Sequence, residues 1–200
     1  MYKGFMMLHK FERLKEYKTW VLKLSGGADS ALILYYMNKI RTDQEVWILT
    51  GVNGNDKNYA EHTRDIINHI GIKDVAHVMY PQTHIRGHEK YERDHSFYGK
   101  LVSCWSVGST IGLQGRSLNP PFYIEGEEEN RNGSIPEIET INGFPLYRPW
   151  HDVTKRDIVR AYREEGQMDL FDKTRSCVSM TVDQCGECFW CKEREWALDE

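Results

Sequence analysis

Thr-Trp-Val-Leu-Lys-Leu-Ser-Gly-Gly-Ala-Asp-Ser, residues 19 to 30, is the stretch that decides the fold of this 200-residue chain. Its first half is an apolar, partly β-branched run that ends at Ser25, and the apolar run SALILYYMNKI of residues 30 to 40 follows the two glycines. The first run predicts a buried strand, and the second predicts a helix packed deep against a sheet. The residues between them therefore predict a glycine-rich turn from a strand into a helix.

This turn has the features of an anion-binding loop. Free amides and the helix dipole at a helix N-terminus attract negative charge, and Gly26 and Gly27 let the backbone come close to an anion. The hydroxyls of Ser25 and Ser30 add donors. The carboxylate of Asp29 fits beside an anion if it binds a bridging Mg²⁺ or caps the helix. An ordinary Gly-Gly turn is the plainer alternative, and the joint occurrence of these residues at a strand-to-helix junction disfavours it.

Strand and helix patterns alternate along the rest of the chain. The predicted strands are residues 19–24, 45–52, 75–80 and 122–125, and the predicted helices are 6–17, 30–40, 58–70, 97–113 and 155–165. Residues 126–143 read as a polar loop, and Thr154 and Asp157 predict a capping box for the last helix. Alternation of this kind is typical of a doubly wound α/β fold with a mainly parallel sheet. We expect one domain over residues 1–200.

Four of the five cysteines lie within fifteen positions near the C-terminus, and these are Cys177, Cys185, Cys188 and Cys191. Four thiolates complete the tetrahedral coordination of Zn²⁺ and leave no position for water, so a closed structural site is predicted within residues 176–192. Four thiolates also serve an iron–sulfur cluster, which the spacing does not exclude. The fifth cysteine, Cys104, lies in an apolar run and is interpreted as a small buried residue.

Composition excludes several classes of protein. The formal net charge of −4 offers no basic excess for nucleic acid, although a local basic patch remains compatible with it. No apolar run approaches the roughly 20 residues that cross a bilayer, and the N-terminal residues 1–18 carry charges where a signal peptide is apolar. We expect a cytoplasmic protein without a membrane or nucleic-acid partner.

Two further clusters have weaker signals. His84 and His88 are four residues apart and could share a helical face as metal ligands, although polar loop histidines are the commoner case. The acidic run of residues 125–129 could orient Mg²⁺ or an amine, although such a run is usually a solvated surface.

The six residues from Ser25 to Ser30 match the S-G-G-x-D-S signature of the PP-loop ATP pyrophosphatases, and the chain resembles this superfamily. The absence of both G-x-x-x-x-G-K-[ST] and G-x-G-x-x-G disfavours P-loop NTPases and dinucleotide-binding folds. The resemblance implies an adenine nucleotide alpha hydrolase-like fold, cleavage of ATP between its α and β phosphates, and adenylation of a substrate oxygen. The ATP-binding residues that it implies are Leu24, Ser25, Gly26, Gly27, Ala28, Asp29 and Ser30.

Within the superfamily, the pattern C-x7-C-G-x-C-x2-C of residues 177–191 resembles the 7-cyano-7-deazaguanine synthases of queuosine biosynthesis. The segment PLYRPWHDVTKRDIVR of residues 145–160 resembles the same family. The resemblance implies ATP, Mg²⁺ and structural Zn²⁺, a homodimer, and conversion of 7-carboxy-7-deazaguanine with ammonia into a nitrile through an amide. It also implies catalytic roles for Asp29, Ser30 and Lys155, with Lys155 reaching toward the ATP phosphates; a solvated first-turn lysine is the alternative.

The resemblance does not extend to the acceptor-binding segment. Where the family has G-x-N-x-x-D-Y-S-G-Y-P-D-C-R, residues 124–133 read IEGEEENRNG, and the second strand ends in TGVNGN instead of aspartate-tyrosine-glycine. One alternative is therefore a diverged enzyme that acts on another carboxylate. A second is a sulfur-transfer enzyme of the phosphoadenylylsulfate reductase or tRNA thiolation type, which would use Cys104 as nucleophile or carrier. A third is a non-catalytic nucleotide- and zinc-binding module.

Overall fold

The computed structural model describes residues 5–53, 57–82, 109–115, 117–118, 120–121, 136–141, 143–177 and 184–199. Its elements are α1 (Phe5–Leu8), a 3₁₀ helix (His9–Glu16), β1 (Thr19–Lys23), α2 (Ala28–Ile40), β2 (Glu45–Asn53), α3 (Lys57–Ile70), β3 (Val75–Gln82), β4 (Thr110–Gln114), β5 (Ile138–Ile141), β6 (Phe144–Tyr147), α4 (Lys155–Glu164), α5 (Met168–Asp172) and α6 (Phe189–Leu198). No helix within these ranges has both the length and the apolar character that crossing a bilayer requires.

The six strands form one sheet in the order β3-β2-β1-β4-β6-β5. All neighbouring pairs are parallel except β5 and β6, so the predicted doubly wound, mainly parallel sheet is confirmed. The chain winds from β1 toward β3 on one side and continues from β4 on the other. Such a reversal opens a crevice at the carboxyl ends of the two central strands. The register aligns Lys23 with Gln114, so the segments that follow β1 and β4 emerge side by side.

Two buried aromatic side chains fix the first turn of α2 at this crevice. The Trp150 indole is fully buried, and its Nε1 donates to the backbone oxygen of Asp29 at 2.9 Å. The Tyr162 hydroxyl, also buried, donates to the backbone oxygen of Ala28 at 2.8 Å. Burial of these rings contributes to the core, and the two hydrogen bonds satisfy their polar atoms. The segment after β6 and helix α4 therefore hold the helix that follows the glycine-rich turn.

The helix predicted over residues 97–113 is wrong at its C-terminal end, because residues 110–113 belong to β4. This strand pairs with both β1 and β6, and its five residues, TIGLQ, hold two large apolar side chains, Ile111 and Leu113. Two apolar positions in so short a segment do not establish a strand period against the longer helical pattern predicted around them. Residue 109 lies in a turn, and residues 97–108 lie outside the described residues.

The structure confirms some of the other predicted elements and corrects others. The predicted loop 126–143 is wrong at residues 138–141, which form the edge strand β5, and the strand predicted at 122–125 lies outside the described residues. The predicted N-terminal helix is one α-helical turn followed by a 3₁₀ helix. At the start of α4 the capping box is confirmed, since Thr154 and Asp157 each accept a hydrogen bond from the backbone N–H of the other.

Candidate active site and metal centre

The loop after β1 is shaped by its two glycines and closed by two hydroxyls. Gly26 has φ of +79°, and a Cβ there would lie 3.1 Å from the His62 ring. Gly27 is the N-cap of α2. The hydroxyls of Ser25 and Ser30 lie 3.1 Å apart, and the Ser25 N–H donates to the Ser30 hydroxyl at 3.2 Å. Because the first-turn amides of a helix lack intrahelical partners, this loop presents backbone donors at the crevice.

Asp29 lies in the first turn of α2 and is 8% exposed. One carboxylate oxygen accepts a hydrogen bond from the Lys155 ammonium. The other accepts from the Ser117 backbone N–H at 3.3 Å and from the Ser117 hydroxyl at 3.0 Å. Gly27 is the N-cap residue of α2, so the interpretation of Asp29 as the helix cap is wrong. The carboxylate joins α2, α4 and the segment after β4.

Sequence reasoning missed Ser117, and the reason is the misassigned strand before it. The chain that leaves β4 passes so close to α2 that a Cβ on Gly115 would lie 2.8 Å from the backbone nitrogen of Ser30. Real Cβ atoms essentially never approach a backbone atom so closely, so only glycine fits here. This close passage brings Ser117 within hydrogen-bond distance of Asp29. The available sequence signal is Gly115 itself, because a glycine at a strand often marks the close approach of another backbone.

Lys155 is not a solvated first-turn residue, because its side chain is only 8% exposed. Its ammonium contacts Asp29 and lies 3.8 Å from the Glu193 Oε2 atom. The structure places Lys155 beside the first turn of α2, and its contact with phosphate stays a prediction. Glu193 had no sequence signal beyond its position two residues after Cys191.

Groups on the other side of the loop surround Gly26. The Arg175 backbone N–H donates to the Gly26 carbonyl at 2.9 Å, and Cδ2 of His62 is the atom that a Cβ on Gly26 would meet. Burial lowers the pKa of His62, a hydrogen bond with the Gly26 backbone opposes that shift, and the Arg175 charge reinforces it. The imidazole is therefore held neutral beside the loop at pH 7.

The four cysteines of the C-terminal segment converge, and their Sγ atoms all lie within 4.8 Å of one another. The Sγ atoms of Cys185 and Cys191 are 3.9 Å apart, and those of Cys177 and Cys188 are 4.0 Å apart. A tetrahedral ion with bonds of about 2.3 Å separates its sulfur ligands by about 3.8 Å. In a four-iron cluster each thiolate binds a different iron and points outward, which spreads the sulfurs further. The spacing thus fits a single ion.

Backbone hydrogen bonds in this segment favour the thiolate of Cys185, whereas burial raises the pKa of Cys191 to about 12. The Cys188 N–H donates to the Sγ of Cys185 at 3.4 Å, and the Cys185 N–H donates to the Sγ of Cys177 at the same distance. The hydrogen bond from Cys188, together with one from the Glu187 backbone, lowers the pKa of Cys185 to about 6. Thiolates are the form that binds metal, so the four cysteines could hold an ion. Cys188 is also the N-cap of α6, which ties that helix to the cluster of four cysteines.

Several sequence predictions fall outside the described residues. These are the roles of Cys104, of His84 and His88, of the acidic run at residues 125–129, and of the unmatched acceptor segment at residues 124–133.

Solved structures identify the class of fold. The NH₃-dependent NAD synthetase from Campylobacter jejuni aligns with a TM-score of 0.55 at 16% identity, over 85% of this chain and 75% of that one. The NMN synthetase from Francisella tularensis aligns with a TM-score of 0.57 at 12% identity, over 98% of this chain and 84% of that one. The U34-tRNA thiolase NcsA from Methanococcus maripaludis, solved with its 4Fe-4S cluster, aligns with a TM-score of 0.56 at 12% identity. The alignment covers 96% of this chain and 71% of that one. The PP-loop fold expected from residues 25–30 is confirmed.

Curated relatives give a more particular likeness. A 7-cyano-7-deazaguanine synthase from Sulfurihydrogenibium is 27% identical over an alignment of 212 positions, which spans 90% of this chain and 94% of the relative. Synthases of the same name from Persephonella marina and Aquifex aeolicus are 30% and 35% identical, over 39% and 35% of their own lengths. No family model matches the chain. The resemblance to 7-cyano-7-deazaguanine synthases is thus confirmed along nearly the whole chain.

The lowered pKa of His62 predicts a pH-dependent stability. Since the folded pKa lies below the ordinary value of 6.5, the contribution of His62 is intact above pH 6.5 and is lost as the pH falls toward the folded value. Urea unfolding between pH 8 and pH 5.5 should show a smaller loss of unfolding free energy for His62→Asn than for the wild type. His77, whose pKa burial also lowers, stays in both proteins and serves as the internal control. Parallel pH profiles would contradict the assignment.

Proposed function

We propose that this protein is an ATP-dependent synthetase that adenylates a substrate carboxylate and releases pyrophosphate. The observation that carries the proposal is the arrangement of Asp29 and Lys155 at the N-terminus of α2, in the crevice between β1 and β4. This is where an open α/β sheet binds its ligands. The names of the curated relatives support the particular reaction, in which 7-carboxy-7-deazaguanine and ammonia become 7-cyano-7-deazaguanine.

The residues around the loop suit the β and γ phosphates that leave as pyrophosphate. The first-turn amides of α2 and the hydroxyls of Ser25 and Ser30 donate to phosphate oxygens. Lys155 carries a compact positive charge with three donors, so it can contact Asp29 and a phosphate together. Mg²⁺, when bound with ATP, supplies further charge neutralisation, and the Asp29 carboxylate is the residue here that would hold it. Positioning and charge stabilisation then carry the catalysis, without a protein nucleophile.

The reaction balances without an oxidant or reductant. A carboxylate oxygen attacks the α-phosphorus, the bond to the bridging oxygen breaks, and pyrophosphate departs with that electron pair. Ammonia then displaces AMP from the acyl carbon and gives the amide. Activation of the amide oxygen by a second ATP lets that oxygen leave on AMP, which gives the nitrile. Loop donors that stabilise departing pyrophosphate serve both activations.

Incubation with Mg-ATP, 7-carboxy-7-deazaguanine and ammonium tests this proposal. We expect pyrophosphate release and a product with the mass of the nitrile, and Asp29→Ala or Ser30→Ala should slow pyrophosphate release by about 100-fold or more. Asp43→Ala, an exposed acidic residue after α2, is the matched control and should keep the wild-type rate. A full rate in Asp29→Ala would overturn the loop assignment. Pyrophosphate formed only with other carboxylates would overturn the deazaguanine acceptor alone.

We further propose that the four cysteines hold one structural Zn²⁺, because their sulfur spacing fits a single tetrahedral ion. Elemental analysis should give about one zinc per chain and no iron. Cys188→Ser should lose most of the zinc and the folded α6, whereas Cys104→Ser should keep both the metal and pyrophosphate release. Iron with inorganic sulfide would contradict the zinc assignment. Loss of activity in Cys104→Ser would instead favour the sulfur-transfer alternative.

A further inference from the structure

Lys155 is shared between two acidic side chains that come from different helices. Its ammonium contacts Asp29 on α2 and lies 3.8 Å from Glu193 on α6. The side chains of Asp29, Lys155 and Glu193 are 12%, 8% and 1% exposed. With two carboxylates and one ammonium, the group carries a net charge of −1 in a nearly dry environment. This group is called the buried charge triad below.

A fully buried carboxylate needs a reason to be there. Removing a carboxylate from water costs several kcal/mol, and an apolar residue of similar size often serves stability equally well. The neighbouring Arg194 is committed elsewhere, because its guanidinium donates to the Thr174 hydroxyl and to the Phe171 carbonyl, both at 2.8 Å. Metal binding by the cysteines does not require an acid at position 193 either. The Oε2 atom of Glu193 lies 3.8 Å from the Lys155 ammonium, so the charge of Glu193 acts on Lys155 across that distance.

Helix α6 holds Glu193 in a fixed place. The helix begins at the metal centre, where the amides of Cys191 and Lys192 both donate to the Cys188 carbonyl at 3.0 Å. One turn later, the Arg194 guanidinium donates hydrogen bonds to residues 171 and 174. Arg175, the residue after 174, donates its backbone N–H to the Gly26 carbonyl in the loop. The cysteine segment thus meets the glycine-rich loop along two routes, through the buried charge triad and through the backbone of residues 171–175.

We propose that Glu193 is a positioning residue that keeps Lys155 beside the phosphate loop and thereby links the cysteine segment to the nucleotide site. This inference rests on the proposed function. If Asp29 held Mg²⁺ while Lys155 contacted a phosphate, the hold of Asp29 on the ammonium would weaken. Glu193, within Coulomb range but beyond hydrogen-bond distance, holds the charge near the loop without competing strongly for its donors. Residue 193 acts through Lys155 and touches no reacting atom.

Three variants test the proposal. Glu193→Gln keeps the shape and removes the charge, Glu193→Asp keeps the charge, and Glu195→Gln is the control because Glu195 lies on the same helix with a 65% exposed side chain. We expect Glu193→Gln to lower kcat for pyrophosphate release by about 10-fold or more, since misplaced catalytic groups cost rate steeply. Glu193→Asp should restore part of the rate, and Glu195→Gln should behave like the wild type. Metal content and melting temperature should stay near wild type in all three.

A purely structural role for Glu193 predicts a different pattern. In that case Glu193→Gln would lose metal or melt early, and any fall in rate would follow the loss of folded protein. That result, or a folded Glu193→Gln variant with wild-type kcat, would overturn the proposal.

Two measurements without turnover separate this proposal from the proposed function. One is Mg-ATP affinity by calorimetry, which should weaken in Glu193→Gln and not in Glu195→Gln. The other is labelling of Lys155 by an amine-reactive reagent, read by mass spectrometry, which should accelerate several-fold in Glu193→Gln because the ammonium then keeps only the Asp29 carboxylate of the two beside it. A wild type that binds Mg-ATP but forms no pyrophosphate would overturn the proposed function only. Unchanged affinity and labelling in Glu193→Gln would overturn the role of Glu193.

Discussion

The ion pair between Lys155 and Asp29 joins two helices at the crevice, where the carboxyl ends of the central strands meet. Both side chains are nearly buried, so the attraction between their charges offsets part of the cost of removing each charge from water. Removing one partner of a buried pair typically costs about 3–5 kcal/mol because it strands the other charge. The pair fixes the start of α2, and with it the direction of the backbone amides that face the crevice.

The sheet supplies the conditions for this pair. Strands β1 and β4 run parallel in register, so the loop after one and the segment after the other arrive together, and Gly115 permits their contact. The chain after β6 adds the Trp150 hydrogen bond to the Asp29 carbonyl and leads into α4, which carries Lys155. Three strand ends thus provide the parts of one site, as doubly wound sheets commonly do.

Much of the site could be predicted because its signals are local. The turn from β1 into α2 comes from consecutive residues, the four converging cysteines are close in sequence, and the capping box of α4 is a four-residue pattern. The partners of Asp29 are not local, since Ser117 is 88 residues away and Lys155 is 126. No periodicity reports such pairings. Strand β4 falls at the end of a predicted helix because its five residues are too few to establish a period of their own, and this hides the proximity of Ser117 to Asp29.

We propose that this crevice activates a carboxylate by splitting ATP between its α and β phosphates. The most direct measurement is turnover of 7-carboxy-7-deazaguanine labelled with ¹⁸O in its carboxylate, followed by ³¹P NMR of the products. The account predicts pyrophosphate without label and AMP that carries ¹⁸O, because the carboxylate oxygen attacks the α-phosphorus and leaves on AMP. Formation of ADP and phosphate, or AMP without ¹⁸O from the substrate, would contradict it.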